Sequence, residues 1–229
     1  MSKSGTRFPN ETPEYRSARA ELLEAEKELR AHVERVAAQR RALPLGGEVA
    51  PDYEFDGLGT DGSPTTVRLS ELFAQGKDSL VIYGFMYGPD AAAACPMCTS
   101  FIDSLDRTAP HAEQRINLAV VAKSPLDRVA EFARSRGWNN LRLLSSAGNT
   151  YNRDYRAEDG EGNQLPALNV FVRRGDRTYH SYNAELVYEP AESGQNQRHM
   201  DMIWPLWNLL DVVPEGRGAE WYPRLSYDG

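Results

Sequence analysis

Cys95-Pro96-Met97-Cys98 is the stretch of this sequence best suited to covalent chemistry. Two thiols separated by two residues in one helical turn have Cα atoms within the range a disulfide tolerates, so they can open and close with little backbone movement. Pro96 suits a first helical position, where its missing N–H is dispensable. Cys95 then falls at or near the N-cap, where unpaired N–H groups and the helix dipole stabilise a thiolate. The expected division of labour makes Cys95 the exposed attacking sulfur and Cys98, one turn inward, the resolving one. These are the only two cysteines in 229 residues, too few for a secreted disulfide framework.

Other uses of the pair fit less well. A structural zinc ion takes four ligands, there is no second CxxC, and His111, His180 and His199 lack the usual paired spacing. Covalent haem attachment needs a His directly after the second Cys, where Thr99 stands. Neither a metal nor a cofactor is expected. A bland alternative, two small buried residues near a strand end, stays open.

A second feature lies at Leu165-Pro166, just before the apolar run Ala167 to Val172. A cis Leu165–Pro166 bond is expected here, bringing backbone beside Cys95, where an extended peptide substrate pairs with it. An ordinary trans proline at a strand start is the commoner arrangement. Leu165, Pro166 and Tyr87 are the expected substrate-side residues. His180 and His199 read as ordinary polar residues, and Trp204 and Trp207 as core.

Positioning these groups requires a sheet. Leu80 to Tyr87 is a continuous apolar run of strand length, expected to be buried on both faces. A helix from Pro96 to about Arg107, a strand at Ile116–Ala122, a helix from Ser124 to about Arg136 and a strand at Leu141–Leu144 follow, a pattern that implies right-handed crossovers and parallel pairing. After a Gly-rich stretch with a short helix around Asn149–Tyr155, strands at Ala167–Arg173 and Arg177–Tyr182 form an antiparallel hairpin. Upstream, Asp52–Phe55 and Thr66–Leu69 form another hairpin, and Ser70–Phe73 a helical turn. Met200–Leu210 reads as a helix, and the tail beyond as irregular.

Thr12-Pro13-Glu14 supplies an N-cap, a helix-starting proline and a first-turn acid. A continuous helix over 14–43 is expected, with Leu22, Leu29, Val36 and Leu43 as a seven-residue stripe. A helix of this length gains most of its stability from packing, so the stripe is expected to be buried on its own domain or, in a homodimer, on a partner subunit. The expected organisation is an arm over 1–47, one domain over 48–212 and a tail over 213–229.

Composition bounds the partners. Lys and Arg number 26 against 33 Asp and Glu, a net charge of −7. That balance argues against duplex nucleic acid and anionic membrane, both of which call for a concentrated basic face. There is no run of 18 apolar residues and no apolar core behind the polar opening Met1 to Arg7, so the expected address is the cytoplasm. The expected partners are protein or small-molecule thiols and disulfides.

The order of apolar strand, CxxC helix, βα pair, proline-led strand, hairpin and terminal helix resembles the thioredoxin fold. The lead-in from Tyr53 to Phe73 resembles the subset that includes peroxiredoxins and periplasmic thiol reductases. More narrowly, Asp52–Gly57, Tyr83–Asp90, Cys95–Cys98 and Ile203–Asp211 are similar to a family of bacterial thioredoxin-like proteins known only as a domain of unknown function, over about Glu14 to Tyr227. The resemblance implies an α/β, three-layer thioredoxin-like sandwich with a mixed sheet, and the CxxC pair makes dithiol–disulfide exchange through Cys95 and Cys98 the expected function. Rival readings are a non-enzymatic binding module on the same fold and a peroxidase using Cys95. The sequence departs from both better-known patterns. Ala94 stands where thioredoxins carry Trp, and Leu80–Tyr87 lacks their buried proton-relaying acid. Gly88 and Ala92 stand where peroxiredoxins carry Pro and Thr or Ser.

Overall fold

The computed structural model describes residues 7–195, 198–200, 203–216, 218 and 221–227. Two compact units divide the chain, residues 1–44 and 45–229.

The first unit is built on α1, Pro13–Arg41. Thr12 caps it by accepting from the Tyr15 N–H at 3.2 Å, Pro13 occupies the first turn, and Arg40 and Arg41 face the negative end of the dipole. The helix ends two residues before Leu43, and none of its residues is buried. Leu22, Leu29 and Leu43 are 48%, 60% and 48% exposed, so the stripe is not buried within its own unit. The alternate heptad seat holds Ala18, Ala25, His32 and Gln39, too small or polar to complete an apolar seam. High-propensity residues, the caps and pairs such as Glu24 with Lys27 carry the helix instead.

The second unit holds one seven-stranded sheet. Its strands are β1 (Glu54–Leu58), β2 (Pro64–Arg68), β3 (Ser79–Phe85), β4 (Asn117–Ala122), β5 (Arg142–Ser145), β6 (Ala167–Arg174) and β7 (Arg177–Asn183). The helices are α2 (Pro96–Ala112), α3 (Leu126–Arg136), α4 (Tyr151–Asp154) and α5 (Pro205–Leu210), with a 3-10 turn at Leu69–Leu72. The order across the sheet is β2-β1-β5-β4-β3-β6-β7. The β3–β4 and β4–β5 pairs are parallel, as two helical crossovers require, and the hairpins are antiparallel. The β4-β3-β6-β7 segment with α2 crossing between β3 and β4 is the thioredoxin-like α/β arrangement expected from the sequence.

Alternation along β3 divides the interior into two cores. Tyr83 and Phe85 face one with Cys98, Phe101 and Ile102 of α2, Val129 and Ala133 of α3, and Trp204 and Trp207. Leu80 and Ile82 face the other with Phe55, Leu72, Tyr151 and Phe171. The strand runs so close to its neighbours that a Cβ on Gly84 would lie 3.0 Å from the Ala157 Cβ and 3.4 Å from the Ala167 Cβ, which explains a glycine in the sheet's centre.

α2 extends five residues beyond the expected end, because Pro110 falls within it without stopping it. The Met200–Leu210 helix is shorter than expected: Met200 is in a turn, Asp201 and Met202 lie outside the described residues, and α5 starts at Pro205. The described residues of the tail are irregular, as expected, and two of them touch the domain. The Leu225 carbonyl accepts from Arg136 at 2.6 Å, and the Trp221 ring meets Trp207 at 6.2 Å between centroids.

Candidate active site

The cysteines sit where β3 hands over to α2. After Phe85 the chain loops outward and returns, and the Cys95 N–H donates to the Met86 carbonyl at 3.2 Å. Arg128 of α3 holds this loop by donating to the carbonyls of Gly88 at 3.2 Å, Pro89 at 2.5 Å and Ala91, while its guanidinium lies 4.6 Å over the Tyr87 ring. Ser124 adds a backbone bond to the Tyr87 carbonyl at 2.9 Å and a hydroxyl bond to Gly88 at 2.8 Å. Nothing in the sequence flagged Arg128, because its three acceptors are backbone groups about 40 residues away and backbone groups carry no sequence signature.

Cys95 is the N-cap of α2 and Pro96 its first residue. The Cys95 sulfur accepts from the Cys98 N–H at 3.4 Å, and its carbonyl is held by the Thr99 N–H at 2.9 Å and hydroxyl at 2.8 Å. Both thiols are free, Cys95 half-buried and Cys98 fully buried. The Cys98 thiol donates to Cys95 and brings its pKa down to about 6, helped by the Cys98 and Met97 N–H groups and the Tyr222 hydroxyl and opposed by partial burial. Burial pushes Cys98 well above the ordinary thiol value, and the neighbouring Cys95 charge pushes it further. The two sulfurs thus differ in the direction that makes Cys95 a thiolate at neutral pH and Cys98 a thiol.

Tyr222 was not legible in the sequence, where it is one aromatic residue in an irregular tail. Its own pKa is raised, first by burial and then by the Cys95 charge, so its hydroxyl stays a donor.

The sequence-predicted substrate-side residues fare differently. Tyr87 is 6% exposed and packs on Phe85 and Phe132, so it anchors the loop from the core and presents no ring to a substrate. Leu165 and Pro166 are half-buried, and Pro166 directly precedes Ala167, whose sheet partner Gly84 is two residues before Met86. The expectation of a cis Leu165–Pro166 bond is overturned: the cis bond among the described residues is Ala50–Pro51. β6 enters its antiparallel ladder at Ala167, with the Leu165 N–H turned to the Ala157 carbonyl at 2.9 Å, so a trans Pro166, which has no N–H to donate, sits just ahead of the ladder where no donor is required.

Among the described residues, no three His, Cys, Asp or Glu side chains are grouped to hold a metal ion. His180 hydrogen-bonds Asn169 at 3.0 Å on the sheet. His199 lies instead on the cysteine side, buried, with Nε2 2.8 Å from the Tyr83 hydroxyl.

The profile of a family described as bacterial protein of unknown function (DUF899) matches residues 5–227. The chain belongs to this family. No curated protein matches the sequence. Among solved structures, the DUF899 chain is similar to a reduced 2-Cys peroxiredoxin of Plasmodium vivax, with 18% identity over 73% of this chain and 96% of that one and a TM-score of 0.48. Reduced Prx3 of Vibrio vulnificus in complex with hydrogen peroxide shows 12% identity over 72% and 99%, with a TM-score of 0.49. The pneumococcal exposed lipoprotein thioredoxin of Streptococcus pneumoniae shows 16% identity over 61% and 90%, with a TM-score of 0.41. Likeness at this level says nothing of chemistry, which rests on this DUF899 chain's own residues.

The electrostatics give a pH signature. Alkylation of the reduced protein by iodoacetamide is expected to titrate with a midpoint near 6 at one thiol. At pH 7 about nine-tenths of such a thiol is ionised, against a few per cent for an ordinary one. The folded value lies below the ordinary 9.0, so the reduced protein gains stability as pH rises between about 6 and 9 and loses it as pH falls through 6. Tyr222→Phe removes one donor to the thiolate and is expected to move the midpoint upward by less than one unit. A midpoint above 8 in the unmodified protein would remove the asymmetry of the pair.

Proposed function

We propose that this chain is a thiol–disulfide oxidoreductase that works through Cys95 and Cys98. The supporting observation is a half-buried, acidic thiol at a helix N-cap with a buried, weakly acidic thiol one turn inward. The Cys95 thiolate attacks one sulfur of a disulfide; a Cys95–substrate bond forms, the substrate S–S bond breaks, and the first thiolate leaves with that electron pair. Cys98, once deprotonated, attacks the Cys95 sulfur, closes the Cys95–Cys98 bond and expels the second thiolate. The substrate gains two electrons and the dithiol loses two. Run backward, the same steps oxidise a substrate dithiol, and the potential relative to the partner sets the direction.

Leu165 and Pro166, at the β6 entrance, are the backbone we assign to substrate contact. A free dithiol of this kind suits a reducing compartment such as the cytoplasm; among the described residues, no helix is long and apolar enough to cross a membrane. Mixing the reduced protein with oxidised glutathione and, separately, with hydrogen peroxide tests the reading. Disulfide exchange is expected to yield the Cys95–Cys98 disulfide faster than peroxide does at equal concentration. A faster reaction with peroxide would favour a peroxidase, and no reaction with either would make the pair structural.

A further inference from the structure

Resolution requires Cys98 to lose a proton inside the core, where water does not reach it and burial opposes the charge. β3 carries no carboxylate to accept that proton. The acids of α2 are engaged elsewhere: Asp106 accepts from the Asn140 backbone and side-chain N–H groups at 2.8 and 3.0 Å, and Asp103 accepts from Arg136 and from the Trp138 indole at 2.8 Å.

A different pair of groups borders Cys98. Tyr83 packs in the same buried cluster as Cys98, where its hydroxyl favours the Cys98 thiolate, and that hydroxyl lies 2.8 Å from His199 Nε2. Cys98, Tyr83 and His199 are 0%, 0% and 7% exposed, so the Tyr83–His199 pair is a buried polar pair in the same otherwise apolar core as the Cys98 thiol. His199 is held in place: its ring meets Phe101 and Trp204 edge-on at 6.1 and 5.8 Å, and its carbonyl accepts from the Trp207 indole at 3.2 Å. A buried polar pair has a desolvation cost that an apolar pair of the same shape would avoid, so its presence beside a buried thiol calls for a role. Burial brings the His199 pKa down to about 4, so the imidazole is neutral at pH 7 and carries a lone pair on one ring nitrogen.

We propose that Tyr83 and His199 are the proton path of Cys98, standing in for the missing buried acid. This inference rests on the dithiol reading above. In the resting protein the Cys98 thiol donates to the Cys95 thiolate. Once Cys95 carries a substrate sulfur that acceptor is gone, and the thiol turns to the Tyr83 oxygen. With its own proton on Nδ1, the imidazole accepts the Tyr83 proton at Nε2 while Tyr83 takes the Cys98 proton. The freed Cys98 electron pair bonds to the Cys95 sulfur, the Cys95–substrate bond breaks, and the substrate thiolate departs with that pair. The imidazolium then releases its proton to water. In the reverse direction the same line returns a proton to Cys98 as it leaves.

Among the described residues, the titratable groups acting on Cys98 are Cys95 at the start of α2, Tyr83 from β3 and Tyr222 from the tail; His199 meets Tyr83 and the aromatic rings. Reaction of the reduced protein with excess DTNB separates the steps. Attack by Cys95 releases one thionitrobenzoate at a rate proportional to reagent, and resolution by Cys98 releases a second at a rate independent of it. Tyr83→Phe is expected to slow the second phase relative to the first by about tenfold or more at pH 7, within the range of general acid–base assistance. It is also expected to move the pH midpoint of the second phase upward, because a hydrogen bond that favours the Cys98 thiolate is lost. His199→Phe fills the same space without an acceptor and is expected to act alike. The double variant is expected to be no slower than Tyr83→Phe alone, since both act on one path. An unchanged ratio and midpoint in Tyr83→Phe would overturn the path, as would multiplying effects; Tyr83→Phe suffices if His199→Phe weakens the core. Failure of the unmodified protein to release a second, reagent-independent equivalent would instead sink the dithiol reading itself.

Discussion

Cys95→Ser is expected to end disulfide exchange, with a loss of at least about a thousandfold, whereas Cys98→Ser is expected to complete one attack and stop as a trapped mixed disulfide. The difference follows from the two environments. Cys95 is the sulfur that is both reachable and ionised at neutral pH, and a serine hydroxyl there is neither acidic enough nor nucleophilic enough to replace it. Cys98 is enclosed and protonated, so its loss leaves the first step intact and removes the second. The choice of replacement matters as well. Serine at 98 keeps a donor to the Cys95 thiolate, while Cys98→Ala removes the largest influence lowering the Cys95 pKa, and its alkylation midpoint is expected to rise above that of Cys98→Ser. Mass spectrometry of each variant after exposure to a disulfide-bonded protein reads the outcome. Full activity of Cys95→Ser, or no adduct on Cys98→Ser, would show that the assigned nucleophile is wrong.

Phe171→Ala is expected to destabilise the fold by about 3–5 kcal/mol, on the scale of large-to-small core substitutions, while leaving thiol chemistry in the folded fraction unchanged. Phe171 is fully buried on β6 and meets Tyr155 at 4.9 Å, His180 at 5.5 Å and Tyr151 at 6.2 Å between centroids. Two of these partners are fixed by α4 and its C-cap and the third by β7, which limits their collapse into the space left, so little of the loss is recovered. A domain's whole stability is about 5–15 kcal/mol, and for a chain of this size the loss corresponds to a fall in Tm of roughly 10 °C. The ring belongs to the core on the far face of the sheet from Cys98, so stability and reactivity separate. Calorimetry and iodoacetamide titration of the same variant check both halves; a fall below about 1 kcal/mol, or a displaced titration midpoint at a temperature where the variant is folded, would contradict the two-core description.

Much of the scaffold was written locally. The apolar run at Leu80–Tyr87, the proline opening α2, the Arg174-Gly175-Asp176 turn and the Thr12 cap are contiguous patterns, and the elements they specify are where those patterns put them. The misjudged features each depended on groups distant in sequence. The Leu22–Leu29 stripe has helical spacing whether or not anything covers it, and nothing in its own unit does. A proline at a strand start is compatible with either isomer, and the pairing of Ala167 with Gly84 and of Leu165 with Ala157 accommodates trans. Tyr87 looked available at a strand end until Arg128 and Phe132 closed over it.

The sequence by itself determined that two thiols share one helical turn after a buried strand, because spacing, proline and apolar run act within a dozen residues and need no partner. Only the tertiary structure decided which groups surround those thiols. Tyr222 is 127 residues from Cys95 and His199 is 116 from Tyr83, and their convergence is set by how the tail and the segment before α5 pack on α2 and β3. Hydrogen bonding and burial shift a pKa through distances of a few ångströms, and folding makes neighbours of residues that the sequence holds far apart.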